Sequence, residues 1–224
     1  MQRGVDSHAL VEWYLAYQDH TGRFDQIQVE INFLMRVCAL APILCKAASI
    51  GDEAACEFSV LAIEELFAGK AKALIDRQHP RDLYDLFRLG KTGLPHDSDL
   101  LRRLAVLFSS TMNRDLRTYT MERFAKIDEA AINRLLYPLL KAADRPTGTE
   151  MFAVAKPILE RVLDHSREDS FLEAMAAGKY QPELLFPHHQ GIVDRIRRHP
   201  ALLWKSENVA RHRSARKRTS GIRD

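Results

Sequence analysis

Residues 61–89, LAIEELFAGKAKALIDRQHPRDLYDLFRL, constrain the fold more than any other stretch of this chain. Their spacing predicts two short helices joined just before a proline. At 3.6 residues per turn, Ile63, Leu66, Phe67, Ala73 and Leu74 make an apolar stripe, and Lys70 falls inside it. A lysine on a buried face is costly unless its charge meets a partner. Gly69 beside it is a poor helix former that lets another backbone or a ligand come close. Pro80 suits the first turn of the second helix. In that helix Asp82 and Asp85 are three apart and Arg81 and Asp85 four apart, so they can share a face. Lys70 therefore snorkels, pairs with Asp82 or Asp85, or meets an anionic ligand.

The segments around this block divide by period. Residues 7–18 predict a helix with Leu10, Trp13, Tyr14 and Tyr17 on one side. Residues 24–33 alternate, with Ile27, Val29, Ile31 and Phe33 facing one way and Gln28, Glu30 and Asn32 the other, which predicts a half-buried strand. Residues 38–55 are Ala-rich and end in a turn-like Gly51-Asp52, and residues 56–62 predict a short strand. Beyond Gly93 the pattern is helical almost throughout, with candidates at 97–110, 114–125, 128–143, 149–165, 168–177 and 188–198. Asp128 is placed as a helix cap, and Pro138 should kink or shorten the helix it opens. The expected class is α+β: an α/β part over 1–92, a helical domain over 93–210 and a basic tail over 211–224.

Composition removes several classes. A chain of 224 residues with 46% hydrophobic and 28% charged content resembles ordinary soluble proteins. No apolar run reaches membrane-spanning length and no signal peptide opens the sequence, so a cytoplasmic location without membrane contact is expected. Cys38, Cys45 and Cys56 form no C-x-x-C pair and read as reduced structural thiols. The net charge of +3 hides an asymmetry. The tail holds Arg211, Arg213, Arg216, Lys217, Arg218 and Arg223 against Asp224, which leaves the body with 27 basic and 29 acidic residues. Such a tail either contacts RNA phosphates or is simply a solvated end. His188 and His189 lack a third metal ligand at suitable spacing, His165 and His199 read as helix C-terminal caps, and Phe171, Leu172, Met175 and residues 184–186 read as core.

The 61–89 block closely resembles the AbiE-type abortive-infection nucleotidyltransferase toxins, the AbiEii/AbiGii family. The family writes E-L-x-A-x-K…A-L…R and then R-D-x-x-D-[LVI]. Here Glu65-Leu66, Ala68, Lys70, Ala73-Leu74, Arg77 and Arg81-Asp82…Asp85-Leu86 match it. Weaker likeness runs through residues 26–36 and 199–209. The resemblance implies a partial polymerase-β-like α/β core and transfer of a nucleoside monophosphate from an NTP to an RNA acceptor, with tRNA the implied target. It also implies Mg²⁺, a cognate antitoxin, and a role in phage defence.

Such transfer needs carboxylates to hold Mg²⁺, cations to neutralise the triphosphate, and an aligned acceptor hydroxyl. By resemblance, Glu30 is the third metal carboxylate and Lys70 contacts the phosphates. Asp82 orients Lys70 or positions the acceptor. Asp85 is catalytic or structural, Arg77 binds phosphate or makes a surface ion pair, and Arg81 binds nucleotide or joins Asp82 and Asp85 in a network that locks the two helices. One departure stands out. The family's opening Gly-Ser or Gly-Thr pair with a following Asp-x-Asp has no counterpart before Glu30: Gly4-Val5-Asp6-Ser7 does not fit, and Asp19 and Asp25 are isolated. The expectation is an N-terminally truncated member with severely impaired metal binding. The alternative function is a catalytically incomplete remnant that binds antitoxin or RNA.

Overall fold

A computed structural model describes residues 2–7, 9–47, 56–93, 97–124 and 128–220. Gly51-Asp52, expected as a turn, lies outside the described residues. The fold is α+β: two small antiparallel sheets precede a mostly helical body. β1 (Gln2–Asp6), β2 (Leu10–Gln18) and β3 (Phe24–Asn32) form the first sheet, and β4 (Ile43–Lys46) pairs with β5 (Glu57–Val60) in the second.

The first sheet corrects one expectation. Residues 10–18 are a strand, not a helix. Leu10, Trp13, Tyr14 and Tyr17 fit a helical face, but Val11, Trp13, Leu15 and Tyr17 fit strand alternation equally well, and aromatic residues favour strands. Long-range pairing decides it: β2 runs antiparallel to β3 in unbroken register from Leu10 opposite Asn32 to Gln18 opposite Phe24. The connecting turn is held by Asp19, whose carboxylate accepts the Thr21 and Arg23 N–H groups, and Gly22 takes φ +81°. β3 is the expected strand, but it is not half-buried. Ile27 is 54% and Ile31 43% exposed, so its apolar face stays open.

The helical body has a continuous core. α1 (Ile63–Arg77) and α2 (Pro80–Lys91) lead to α3 (Ser98–Ser109), which is buried nearly all round from Leu101 to Ser109. α4 (Glu129–Leu135) begins at Asp128, whose carboxylate accepts the Ala131 N–H as expected of a cap. Pro138 ends regular helix there, and only single 3-10 turns follow. In place of the helix expected over 114–125, the described residues 114–124 hold two 3-10 turns, Leu116–Thr118 and Met121–Arg123. α5 (Gly148–Leu163) opens with a reciprocal capping box between Thr147 and Glu150. α6 (Asp169–Ala176), α7 (Gln190–Ile196) and α8 (Pro200–Ser220) complete the body, and α8 continues through the start of the basic tail. α2 and α5 approach closely at Gly90, where a Cβ would lie 2.5 Å from the Val154 side chain. Phe171, Leu172, Met175, Leu185 and Phe186 are core as expected, while Leu184 is exposed. Among the described residues no helix is long and apolar enough to cross a membrane, and the three cysteines are free thiols.

Two buried polar features accompany this core. Arg102 of α3 pairs with Glu168 at 2.7 Å, both side chains almost wholly buried, and also reaches Asp99 at 2.8 Å. Burial raises the Glu168 pKa, with the neighbouring Arg102 opposing. His199 does not cap a helix C-terminus. It sits buried where α8 starts, and neither ring nitrogen has a hydrogen-bond partner among the described residues. Burial lowers its pKa, which favours the neutral ring. His165 directly follows Asp164, the C-cap of α5, and its Nδ1 lies 3.3 Å from Asp169.

Candidate functional site

The site is built at the elbow between α1 and α2. α1 ends on Gln78 in the left-handed conformation (φ 50°), whose N–H reaches back to the Leu74 carbonyl. His79 then caps α2, its Nδ1 accepting the Arg81 N–H at 3.2 Å, and Pro80 occupies the first helical position. This two-residue link sets the motif side chains of the two helices against each other.

The buried stripe of α1 is Phe67, Ala68, Ala71, Leu74 and Ile75. It is turned from the expected one, so Lys70 lies on its flank and not inside it. The Lys70 ammonium donates to the Asp85 carboxylate at 2.7 Å, and both side chains are more than a third exposed. Arg77 grips Asp82 through two parallel bonds, Nε to Oδ2 and Nη2 to Oδ1, each 2.6 Å. Asp82 is almost wholly buried while Arg77 is 67% exposed. The Asp82 bond raises the Arg77 pKa further. Asp82 therefore partners Arg77, and Asp85 partners Lys70. Arg81 turns elsewhere, donating to the Leu135 carbonyl at 3.3 Å. Among the described residues, a Cβ placed on Gly69 would meet no atom within 4 Å beyond its chain neighbours and its own helix backbone, so the space at Gly69, next to Lys70 in the chain, is open.

Glu30 is exposed on β3, directly opposite Glu12 on β2. Glu12 is buried and accepts a hydrogen bond from the Tyr14 hydroxyl. That bond, then burial and the charges of Glu12 and Glu30, raise the Tyr14 pKa. Side chains opposite each other in a ladder are close neighbours, so the sheet presents two oxygen-donor carboxylates together. The described residues contain no group of three or more His, Cys, Asp or Glu placed to hold a metal ion. Sequence reasoning missed Glu12, because its position becomes visible only once residues 10–18 are a strand.

Glu65 was also missed, although it stands inside the motif. It is buried, and its two oxygens accept the Ala39 and Leu40 N–H groups at 3.0 Å each. It thereby ties the segment after β3 to the helix that carries Lys70. The same segment meets the helical body again where the Ala201 N–H donates to the Leu34 carbonyl at 3.2 Å. Cys38 lies beside this tether, and burial followed by the Glu65 charge raises its thiol pKa.

Comparison with known proteins adds one positive result. The family model described as the nucleotidyl transferase AbiEii toxin of a type IV toxin–antitoxin system matches residues 7–173. No curated protein and no solved structure matches the chain. The matched span contains Glu12, Glu30, Glu65, Lys70, Arg77, Arg81, Asp82 and Asp85. Because it covers well over half of the sequence, and because the motif side chains meet pairwise at one elbow, the chain belongs to the AbiEii nucleotidyl transferase toxin family.

Proposed function

We propose that the chain transfers a nucleoside monophosphate from an NTP to an RNA acceptor, with tRNA as the target. The observation that carries this reading is the Lys70–Asp85 pair, held half-exposed beside the open space at Gly69. A compact ammonium in that position is suited to the donor's phosphates, and Asp85 fixes its direction until substrate arrives. Asp82 is too buried and too fully engaged by Arg77 to exchange a proton with substrate. It acts as a positioning residue that fixes the Arg77 guanidinium for phosphate contact. Arg81 has a weaker claim, since its guanidinium is turned to α4.

In the reaction, an acceptor hydroxyl oxygen bonds to the α-phosphorus, pyrophosphate leaves with the broken P–O bond, and the hydroxyl proton passes to solvent or to the half-exposed Asp85. Mg²⁺ is the expected cofactor. It commonly binds through one or two carboxylates plus substrate phosphates, and Glu30 with Glu12 supplies that donor type. When bound, it would neutralise charge developing on the phosphates. A cytoplasmic setting, a cognate antitoxin and a phage-defence role accord with the family. The basic end of α8 adds sequence-independent contact with RNA phosphates.

A second reading is an incomplete remnant that binds antitoxin or RNA without transfer. The engagement of the buried Glu12 carboxylate by the Tyr14 hydroxyl, which leaves it less able to take a metal, favours it. A transfer assay with Mg²⁺, each labelled nucleoside triphosphate and total tRNA separates the two. Label on RNA, reduced at least about 100-fold in Lys70→Ala, supports the enzyme. A folded chain that labels no RNA with any nucleotide overturns it in favour of the remnant.

A further inference from the structure

A cavity of about 350 Å³ opens at the α1–α2 elbow, on the Arg77 side of the motif. This is within the range of small-ligand pockets. Its lining divides into two chemistries. Phe124 and Ile132, both buried, and the half-buried Phe152 give it an apolar and partly aromatic floor. Arg77, His79 and Arg123 stand at its polar side.

Each of these polar groups is pre-set. The Arg77 guanidinium is fixed by its paired bonds to buried Asp82. The Arg123 guanidinium lies 4.9 Å from the centre of the Tyr119 ring, and the Arg123 carbonyl is bonded by the Gln78 side chain at 3.0 Å. His79 accepts through Nδ1, so in the neutral ring its Nε2 carries the proton and is a donor. Of the acids facing these groups, Asp82 is paired with Arg77, leaving the guanidinium's other N–H groups free of it, and Asp128, at the cavity wall, caps α4. An apolar floor suits a planar ring, and two guanidiniums with an N–H donor suit a phosphate. Lys70 and Arg77 are seven residues apart on α1, two turns or about 10 Å along the axis. The cavity and Lys70 thus line one continuous edge of the elbow.

We propose that this cavity binds one nucleotide unit, its base on the Phe124 and Ile132 floor and its phosphate at Arg77 and Arg123. The unit is either the NTP itself or the terminal nucleotide of the RNA. That assignment rests on the transfer reading above, whereas binding of a nucleotide does not.

The test titrates the full 224-residue chain with AMP, GMP, CMP and UMP, and with ribose 5-phosphate, by calorimetry. Arg123→Glu is the probe variant because its side chain is exposed at the cavity and reverses the charge offered to a phosphate. At least one nucleoside monophosphate should bind, more tightly than ribose 5-phosphate. Arg123→Glu should weaken it tenfold or more, and Arg88→Glu, the same charge change at an exposed position outside the cavity lining, should leave it within twofold. No binding of any monophosphate, or equal weakening by the two variants, overturns the proposal. If the chain transfers nucleotide, a raised KM for NTP in Arg123→Glu assigns the cavity to the donor, and a raised KM for RNA assigns it to the acceptor. Were transfer absent altogether, the titration would still decide the cavity, so failure of the two readings is distinguishable.

Discussion

The helical body and the N-terminal sheets rest on different foundations. In the body, Phe67, Leu104, Ile132, Met151 and Phe171 are almost wholly excluded from water, and one core runs from α1 to α8. In the sheets, Phe24, Ile27, Ile31, Leu44 and Phe58 remain largely exposed. The body's stability comes from burial, whereas the sheets depend on ladder hydrogen bonds and a few tethers. The candidate site divides along the same line. Lys70, Arg77, Asp82 and Asp85 stand on packed helices, and the Glu12–Glu30 pair stands on the exposed sheet.

This contrast can be broken most sharply by truncation. Phe67→Ala should cost about 3–5 kcal/mol of stability in urea unfolding, as expected for a fully buried aromatic. Ile27→Ala, on the open sheet, should stay within about 0.5 kcal/mol. Equal losses at the two positions would end the distinction. Arg102→Ala should also cost about 3–5 kcal/mol, because it strands the buried Glu168 carboxylate. The double change Arg102→Met with Glu168→Leu should recover most of that loss, which a thermal melt would show.

Two smaller effects sharpen the picture within the site. Asp82→Ala should cost about 1–2 kcal/mol by removing a buried acceptor from the first turn of α2, since the exposed Arg77 re-solvates. Lys70→Ala should change stability by less than about 1 kcal/mol, because its pair is half-exposed, even if transfer is lost. A site whose stability effects ran the other way would have Lys70 as the structural member.

The smallest expected effect is a slope with pH. His199 has its pKa lowered from 6.5 in the folded state, so below about that value the unfolded chain binds more protons than the native one. Stability should fall as pH drops from about 6.5 towards the depressed folded value, and be unaffected by this group above it. Replacing His199 with Met should flatten that part of the urea-midpoint profile.

What the sequence disclosed follows from the range of the interactions involved. α1 and α2 were legible because their signals are local: Pro80 at the first position and apolar spacing within each helix. The depth of Lys70 was misjudged because Ala68 and Ala71 carry the buried stripe, and small side chains announce a face weakly. The β2 strand was misread because its period is ambiguous until β3 is beside it. Arg102 and Glu168 are 66 residues apart, so only the folded chain makes them partners. The cavity at the elbow draws on α1, α2, α4, α5 and the turn around Arg123, which no single segment foreshadows.

The Glu65 tether has a dynamic corollary. Two main-chain amides, Ala39 and Leu40, donate to one carboxylate on a different element, and that bonding should slow their exchange with solvent. Their exchange therefore clocks how often the strand region detaches from α1 while the helical core stays closed. Glu65→Gln would keep an acceptor for only one of them, and the two amides would lose their common rate.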